Sequence, residues 1–132
     1  MRNLRRVDPT EHQIQSAIVA WANKTSFKNG IIGDYLIAIP NGGYRNKLEA
    51  KRLKDEGVKA GVSDMFLAIP IKTEEGIIVC GLWMEVKTTK GKLTEPQKIW
   101  GTRMFSNNYI AVVIRGVDEG IEIIKNYLGI TN

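Results

Sequence analysis

The chain has 132 residues, of which 43% are apolar and 25% are charged. This size and composition are typical of one globular domain, and they exclude a disordered tail or a low-complexity segment. The first residues lack the apolar stretch of a signal peptide, and no run of about 18 apolar residues could span a bilayer. We therefore expect a single cytoplasmic domain over residues 1–132, with no membrane partner.

The charge of the chain is more informative than its apolar content. Nineteen Lys and Arg against fourteen Asp and Glu leave a net charge of +5, and the excess is concentrated in residues 45–59 and 87–103. A basic stripe is typical of a nucleic-acid-binding surface, although solvated helix faces would give the same pattern. One cysteine, Cys80, and one histidine, His12, exclude an intrachain disulfide and argue against a zinc site.

The predicted elements follow the order α-β-α-β-β-α-β-α. Asp8 as N-cap, Pro9 as first helical residue and Glu11 three residues after the cap predict the start of the first helix. The strands before and after the turn at residues 73–76 predict an antiparallel hairpin. The expected elements span residues 9–23, 35–39, 45–56, 65–71, 77–87, 94–106, 109–114 and 118–128. Together they predict an α/β fold with a mixed central sheet of about four strands flanked by helices, and an active site at one sheet edge.

The sequence Met-Glu-Val-Lys at residues 84–87 carries the candidate chemistry. Side chains two apart on a strand share a face, so Glu85 and Lys87 project together. The hairpin would bring Asp64 beside Glu85, and two carboxylates with the carbonyl of Val86 form an all-oxygen site that suits Mg²⁺ or Mn²⁺. A polar face on a half-exposed strand would explain the Glu-x-Lys pattern equally simply.

The environment of this pattern favours the metal-site hypothesis. The charges interrupt an apolar strand, where an unpaired buried charge costs several kcal/mol. Lys87 could hold and polarise a water molecule, which is the requirement for phosphodiester hydrolysis. Lys90 and Lys92 in the following loop could bind backbone phosphates. Tyr44 and Arg45, after the Asn-Gly-Gly sequence at residues 41–43, are further candidates for DNA contact.

Three segments of the chain resemble the VRR-NUC nuclease family of the PD-(D/E)xK phosphodiesterase superfamily. They read EGVKAGVSDMFL at residues 56–67, EVK at 85–87 and GKLTEPQ at 91–97, and the resemblance covers nearly the whole chain. The chain departs from the superfamily pattern at Ser63, where a proline usually precedes the acid. The resemblance implies a restriction-endonuclease-like core in a stand-alone nuclease domain of the phage or bacterial type.

The resemblance also implies residue roles. The implied metal ligands are Asp64, Glu85, the carbonyl of Val86 and Glu11, and the implied catalytic residues are Lys87, Glu85, Asp64 and Gln97. Two of these have a structural alternative, since Glu11 and Gln97 each lie three residues after a potential N-cap, Asp8 and Thr94. Either residue could therefore be a site residue or a helix cap.

The implied function is that of a metal-dependent, structure-selective DNA endonuclease. The resemblance is to small stand-alone members of the family, which act as homodimers that cut four-way (Holliday) junctions. We therefore expect branched DNA and a second copy of the chain as partners, and no small-molecule cofactor. Two alternatives stay open. The chain could be a non-catalytic basic DNA-binding module, in which Asp64, Glu85 and Lys87 form a structural ion-pair cluster, or a nuclease-fold subunit of a larger complex.

Overall fold

The structure is a computed structural model that describes residues 7–40 and 46–131. Its helices are α1 (Glu11–Ala22), α2 (Lys47–Asp55), α3 (Glu95–Phe105) and α4 (Val117–Leu128), with a short 3-10 turn at Ile32–Asp34. Its strands are β1 (Ser26–Phe27), β2 (Gly30–Ile31), β3 (Leu36–Ala38), β4 (Met65–Leu67), β5 (Ile71–Lys72), β6 (Ile78–Val79), β7 (Leu82–Val86) and β8 (Ile110–Ile114).

The central sheet has four strands in the order β3-β4-β7-β8. The first three strands are antiparallel, with Met65 opposite Met84 and Leu67 opposite Leu82 between β4 and β7. β7 and β8 are parallel, and α3 forms the crossover that a parallel pair requires. The predicted α/β fold with a mixed four-strand sheet is confirmed.

The two faces of the sheet carry different side chains because alternate residues of a strand point to opposite faces. On one face α1 and α4 cover a fully buried aliphatic core built around Ile14, Ile18 and Met84. On the other face α3 covers an aromatic cluster in which Trp83 contacts Phe66 and Trp100. Glu85 belongs to this second face, so it lies outside the aliphatic core.

Several predicted strand boundaries are wrong. The long strand expected at residues 65–71 divides into β4 and β5, because Pro70 has no N–H to donate to a strand ladder. The strand expected at residues 77–87 divides similarly, and β5 and β6 pair with each other in a separate two-stranded sheet. The β1–β2 hairpin at residues 26–31 was not predicted.

The first two helices are shorter than expected. α1 begins after Thr10, whose hydroxyl accepts from the N–H of Gln13 while the Gln13 side chain accepts from the N–H of Thr10, so Asp8 is not the N-cap. α2 begins at Lys47 after the N-cap Asn46. In residues 7–40 and 46–131, no helix is long and apolar enough to cross a membrane.

Candidate active site

Asp64 and Glu85 meet at the end of two central strands. The β4–β7 ladder ends at the Met65–Met84 pair, so the next position of each strand places Asp64 opposite Glu85. The Asp64 Oδ2 atom accepts a hydrogen bond of 2.7 Å from the N–H of Val86 and so ties its carboxylate to β7. The site lies at the strand ends rather than along a sheet edge, because β3 and β8 occupy the two edges.

The backbone of Val86 presents its polar groups to the same place. In an extended strand, the N–H and the C=O of one residue point toward the same neighbouring strand. Since the Val86 N–H points to Asp64, the Val86 carbonyl faces the side on which Asp64 lies. Two carboxylates and one carbonyl therefore converge on the end of the sheet, as a hard divalent cation would require.

Glu85 is an acid in an environment that disfavours its charge. The residue is only 6% exposed, and its pKa is raised from 4.5 to about 8, with burial as the largest cause. A hydrogen bond with the Asp64 carboxyl, the charge of Asp64 and the charge of Glu11 contribute to this rise, whereas the positive charge of Lys87 opposes it. Without a cation, the acid pair therefore holds a proton at neutral pH.

Gln97 caps α3 and also contacts Glu85. Its Oε1 accepts a hydrogen bond of 2.8 Å from the N–H of Thr94, and its N–H donates to the Thr94 hydroxyl, which makes a capping box at the start of α3. Its Nε2 donates at 3.2 Å to the Glu85 Oε2 atom. One amide thus joins the first turn of α3 to the buried acid.

Glu11 lies at the entrance to this region. It is the first residue of α1, and the Thr10–Gln13 capping box leaves its carboxylate free of the capping role that the sequence suggested. Its exposed side chain lines a cavity of about 640 Å³ together with Asp64 and Glu85. The other residues lining this cavity are His12, Gln15, Ala38, Ile39, Pro40, Gly61, Val62 and Gln97.

Gly61 fixes the wall of this cavity. Its φ of +87° is a left-handed conformation that favours glycine, and a Cβ atom there would collide with the backbone of Pro96. The loop that leads to Asp64 therefore packs directly on the first turn of α3, next to Gln97. This contact was not foreseen, because Gly61 and Pro96 are far apart in sequence.

The predicted lysines of the site lie in two different environments. Lys87 is 9% exposed and follows β7, where its backbone N–H donates to the carbonyl of Ile114. Lys90 and Lys92 are exposed in the loop that follows. Tyr44 and Arg45 lie outside the described residues.

Arg115 is a residue that sequence reasoning missed. It follows β8 directly, and its guanidinium donates hydrogen bonds to the carbonyls of Thr88 and Gly91 in the basic loop. A single arginine after an apolar strand gives no local signal for such a role. Only the parallel pairing of β7 with β8 brings it to the loop.

The acids do not form a ready-made centre of three ligands. Within the described ranges, 7–40 and 46–131, no three His, Cys, Asp or Glu residues are grouped closely enough to hold a metal ion. The donor set that fits a divalent cation is therefore the Asp64–Glu85 pair with the Val86 carbonyl, and Glu11 faces it across the cavity. The chemistry of these oxygens suits Mg²⁺ or Mn²⁺ rather than zinc.

The architecture defines an α/β protein with a nuclease fold, in which a mixed sheet carries paired acids at the ends of two central strands. One solved structure, described as a VRR_NUC domain protein, superposes on the chain with a TM-score of 0.80 and 27% sequence identity, covering 96% of this chain and 93% of that one. No protein-family model matches the chain, and no curated protein matches it. The similarity supports a VRR-NUC domain assignment and confirms the resemblance on which the sequence-based interpretation depended.

Proposed function

We propose that the chain is a Mg²⁺- or Mn²⁺-dependent endonuclease that hydrolyses phosphodiester bonds in DNA. The observation that carries this proposal is the Asp64–Glu85 pair, a half-buried and a buried carboxyl group held together at the end of the sheet. The similarity to the VRR_NUC domain protein supports nuclease activity in general. The net charge of +5 is compatible with a polyanionic substrate.

In this proposal Asp64, Glu85 and the carbonyl of Val86 hold the cation, and Glu11 contributes directly or through a water molecule. When bound, the cation would polarise the scissile phosphate and lower the pKa of a water molecule. The chain's own contribution is to hold these oxygens in place. Gln97 does so for Glu85, since its 3.2 Å hydrogen bond restricts rotation of the carboxylate.

Lys87 is proposed to orient the attacking water. It shares the strand face of Glu85, and its charge already acts on that carboxylate. Its ammonium group would also stabilise the negative charge that grows on the phosphate in the transition state. Lys90 and Lys92 would hold flanking phosphates, as would Arg45 and Tyr44 if they approach the same duplex. Such contacts position the DNA without reading its sequence.

We further propose branched DNA, such as a four-way junction, as the substrate and a homodimer as the active form. Two symmetric cuts across a junction require two active sites, and one chain carries one Asp64–Glu85 pair. A twofold dimer would supply the second site. We propose that the protein acts in the cytoplasm of a bacterial or phage-infected cell, as its resemblance to stand-alone nucleases implies.

Cleavage assays with end-labelled DNA test the proposal. The protein is incubated with a four-way junction and with a linear duplex of equal length, in Mg²⁺, in Mn²⁺ and in EDTA. We expect cutting of the junction only with metal. Glu85→Ala and Lys87→Ala should each lower the cleavage rate by about 10²–10³-fold while DNA binding is retained.

Lys72→Ala is the matched control, because Lys72 is exposed on β5, beyond the far end of β4 from Asp64. It should cut at the parental rate. Binding without cutting in every metal condition would favour the non-catalytic DNA-binding module instead. Sedimentation analysis of the purified chain, with and without junction DNA, tests the homodimer, and a monomer in both conditions would contradict it.

A further inference from the structure

Arg115 closes the loop that follows Lys87. Its Nη1 atom donates to the carbonyls of Thr88 at 2.8 Å and Gly91 at 2.6 Å, with a weaker contact to Thr89 at 3.5 Å. The N–H of Gly91 also donates to the Thr88 carbonyl at 3.2 Å, so residues 88–91 form a tight turn. Three carbonyl dipoles therefore converge on one guanidinium, which stays charged at every pH at which the protein folds.

The closed turn packs against the side chain of Lys87. A Cβ atom placed on Gly91 would lie 3.4 Å from the Cδ of Lys87 and 3.5 Å from its Cβ, so the turn lies alongside the aliphatic stem of the lysine. The parallel register adds a second restraint, because Val86 pairs with Ile114 and the Lys87 N–H donates to the Ile114 carbonyl. Lys87 is thus held by its backbone from β8 and by its stem from the turn.

We propose that Arg115 is a positioning residue for Lys87. By fixing the turn at residues 88–91 alongside the stem of Lys87, the guanidinium keeps the lysine side chain covered, on the strand face that it shares with Glu85, instead of letting it extend into solvent. The consequence for cleavage rests on the proposed nuclease function. The positioning itself does not, because it can be measured in the absence of DNA.

The direct test is the chemical reactivity of the lysines. The protein is treated with a trace of an amine-acetylating reagent, and modification of each lysine is quantified by mass spectrometry. In the parent, Lys87 should react several-fold more slowly than the exposed Lys72, because its side chain is covered. Arg115→Met keeps an aliphatic stem but removes the hydrogen bonds, so we expect the labelling of Lys87 to rise several-fold while that of Lys72 is unchanged.

Arg103→Ala is the control for loss of an arginine charge, since Arg103 is exposed on α3. It should leave the labelling of Lys87 at the parental value. Lys125, whose side chain is 20% exposed, reports on unfolding. If Lys125 also becomes reactive in Arg115→Met, the milder Arg115→Gln is labelled and read in the same way. Unchanged labelling of Lys87 in a folded Arg115 variant would overturn the proposal.

Cleavage kinetics supply the second readout. A small displacement of a catalytic group can cost about 100-fold in rate, so Arg115→Met should lower kcat by about 10- to 100-fold, and Arg115→Lys should recover much of the loss. Combined with Lys87→Ala, Arg115→Met should lower the rate no further, because it acts through Lys87. An additive loss would mean that Arg115 acts elsewhere.

The two readouts separate this inference from the proposed function. If the parent cuts DNA and the reactivity of Lys87 does not depend on Arg115, the positioning role fails and the nuclease function stands. If the parent never cuts DNA but Lys87 becomes reactive in Arg115→Met, the nuclease function fails and the positioning role stands.

Discussion

Replacing Glu85 with glutamine should stabilise the metal-free protein, and increasingly so as the pH rises. Burial, reinforced by Asp64, raises the pKa of Glu85 from its ordinary value of 4.5 to about 8. The folded chain therefore keeps a proton that the unfolded chain releases between these two pH values. Since the folded state binds more protons, its free energy of unfolding must fall as the pH rises through this range.

The size of the effect follows from the two pKa values. Each pKa unit corresponds to about 1.4 kcal/mol, and integration from pH 5 to pH 9 gives a loss of about 4 kcal/mol in the free energy of unfolding. Glu85→Gln has no charge to bury, and its side chain can still accept the hydrogen bond from Gln97. The variant should therefore lack this part of the pH dependence, while titrating groups that do not interact with Glu85 contribute equally to both proteins.

The assay is urea unfolding in EDTA at intervals from pH 5 to pH 9. The difference in the free energy of unfolding between Glu85→Gln and the parent should grow with pH toward about 4 kcal/mol. Glu95→Gln, at an exposed glutamate of α3, is the matched control and should show no such growth. Parallel curves for the parent and Glu85→Gln would refute the reasoning, because they would mean that Glu85 titrates alike in both states.

In the same titration, added Mg²⁺ should stabilise the parent more at pH 9 than at pH 6, because a cation binds the ionised acid pair. Mg²⁺ should leave the stability of Glu85→Gln nearly unchanged. Thr94→Ala should cost about 1 kcal/mol of stability and preserve cleavage, whereas Gln97→Ala should lower the cleavage rate as well, measured on the same preparations. The double variant with Lys90→Ala and Lys92→Ala should lower the slope of the log of the DNA-binding constant against the log of salt concentration by about 2, if each lysine neutralises one phosphate. Lys72→Ala should leave this slope unchanged. An unchanged slope in the double variant would mean that neither lysine lies in the DNA interface.

The elements that carry the acid pair could be predicted because their signals are local. The alternation of Met84, Glu85 and Val86 separated the two faces of β7, and the turn at residues 73–76 favoured an antiparallel hairpin. The start of α1 could not be decided in the same way. Asp8 and Thr10 are both good N-caps with a suitable partner three residues later, and the structure uses Thr10 with Gln13.

The features that were missed depend on contacts between distant parts of the chain. Arg115 and the carbonyl of Thr88 are 27 residues apart and meet only because β7 and β8 are parallel. Gly61 and Pro96, which also contact each other, are even farther apart in sequence. The β1–β2 hairpin is a different case, since Phe27 pairs with Gly30 and the turn is formed by Lys28 and Asn29. Lys28 has a positive φ of 51°, a conformation that a lysine does not signal in the sequence.

The electrostatics of Glu85 bear on whether the acids and Lys87 form merely a structural cluster. A structural ion pair stabilises the charged form of an acid and lowers its pKa. Here the pKa of Glu85 is raised, and within residues 7–40 and 46–131 no ion pair joins Glu85 to Lys87. The hydrogen bonds of Glu85 run to Asp64 and Gln97, and neither partner supplies a positive charge. Such an arrangement is difficult to explain as a stabilising ion-pair cluster, and it is compatible with the metal site that we propose.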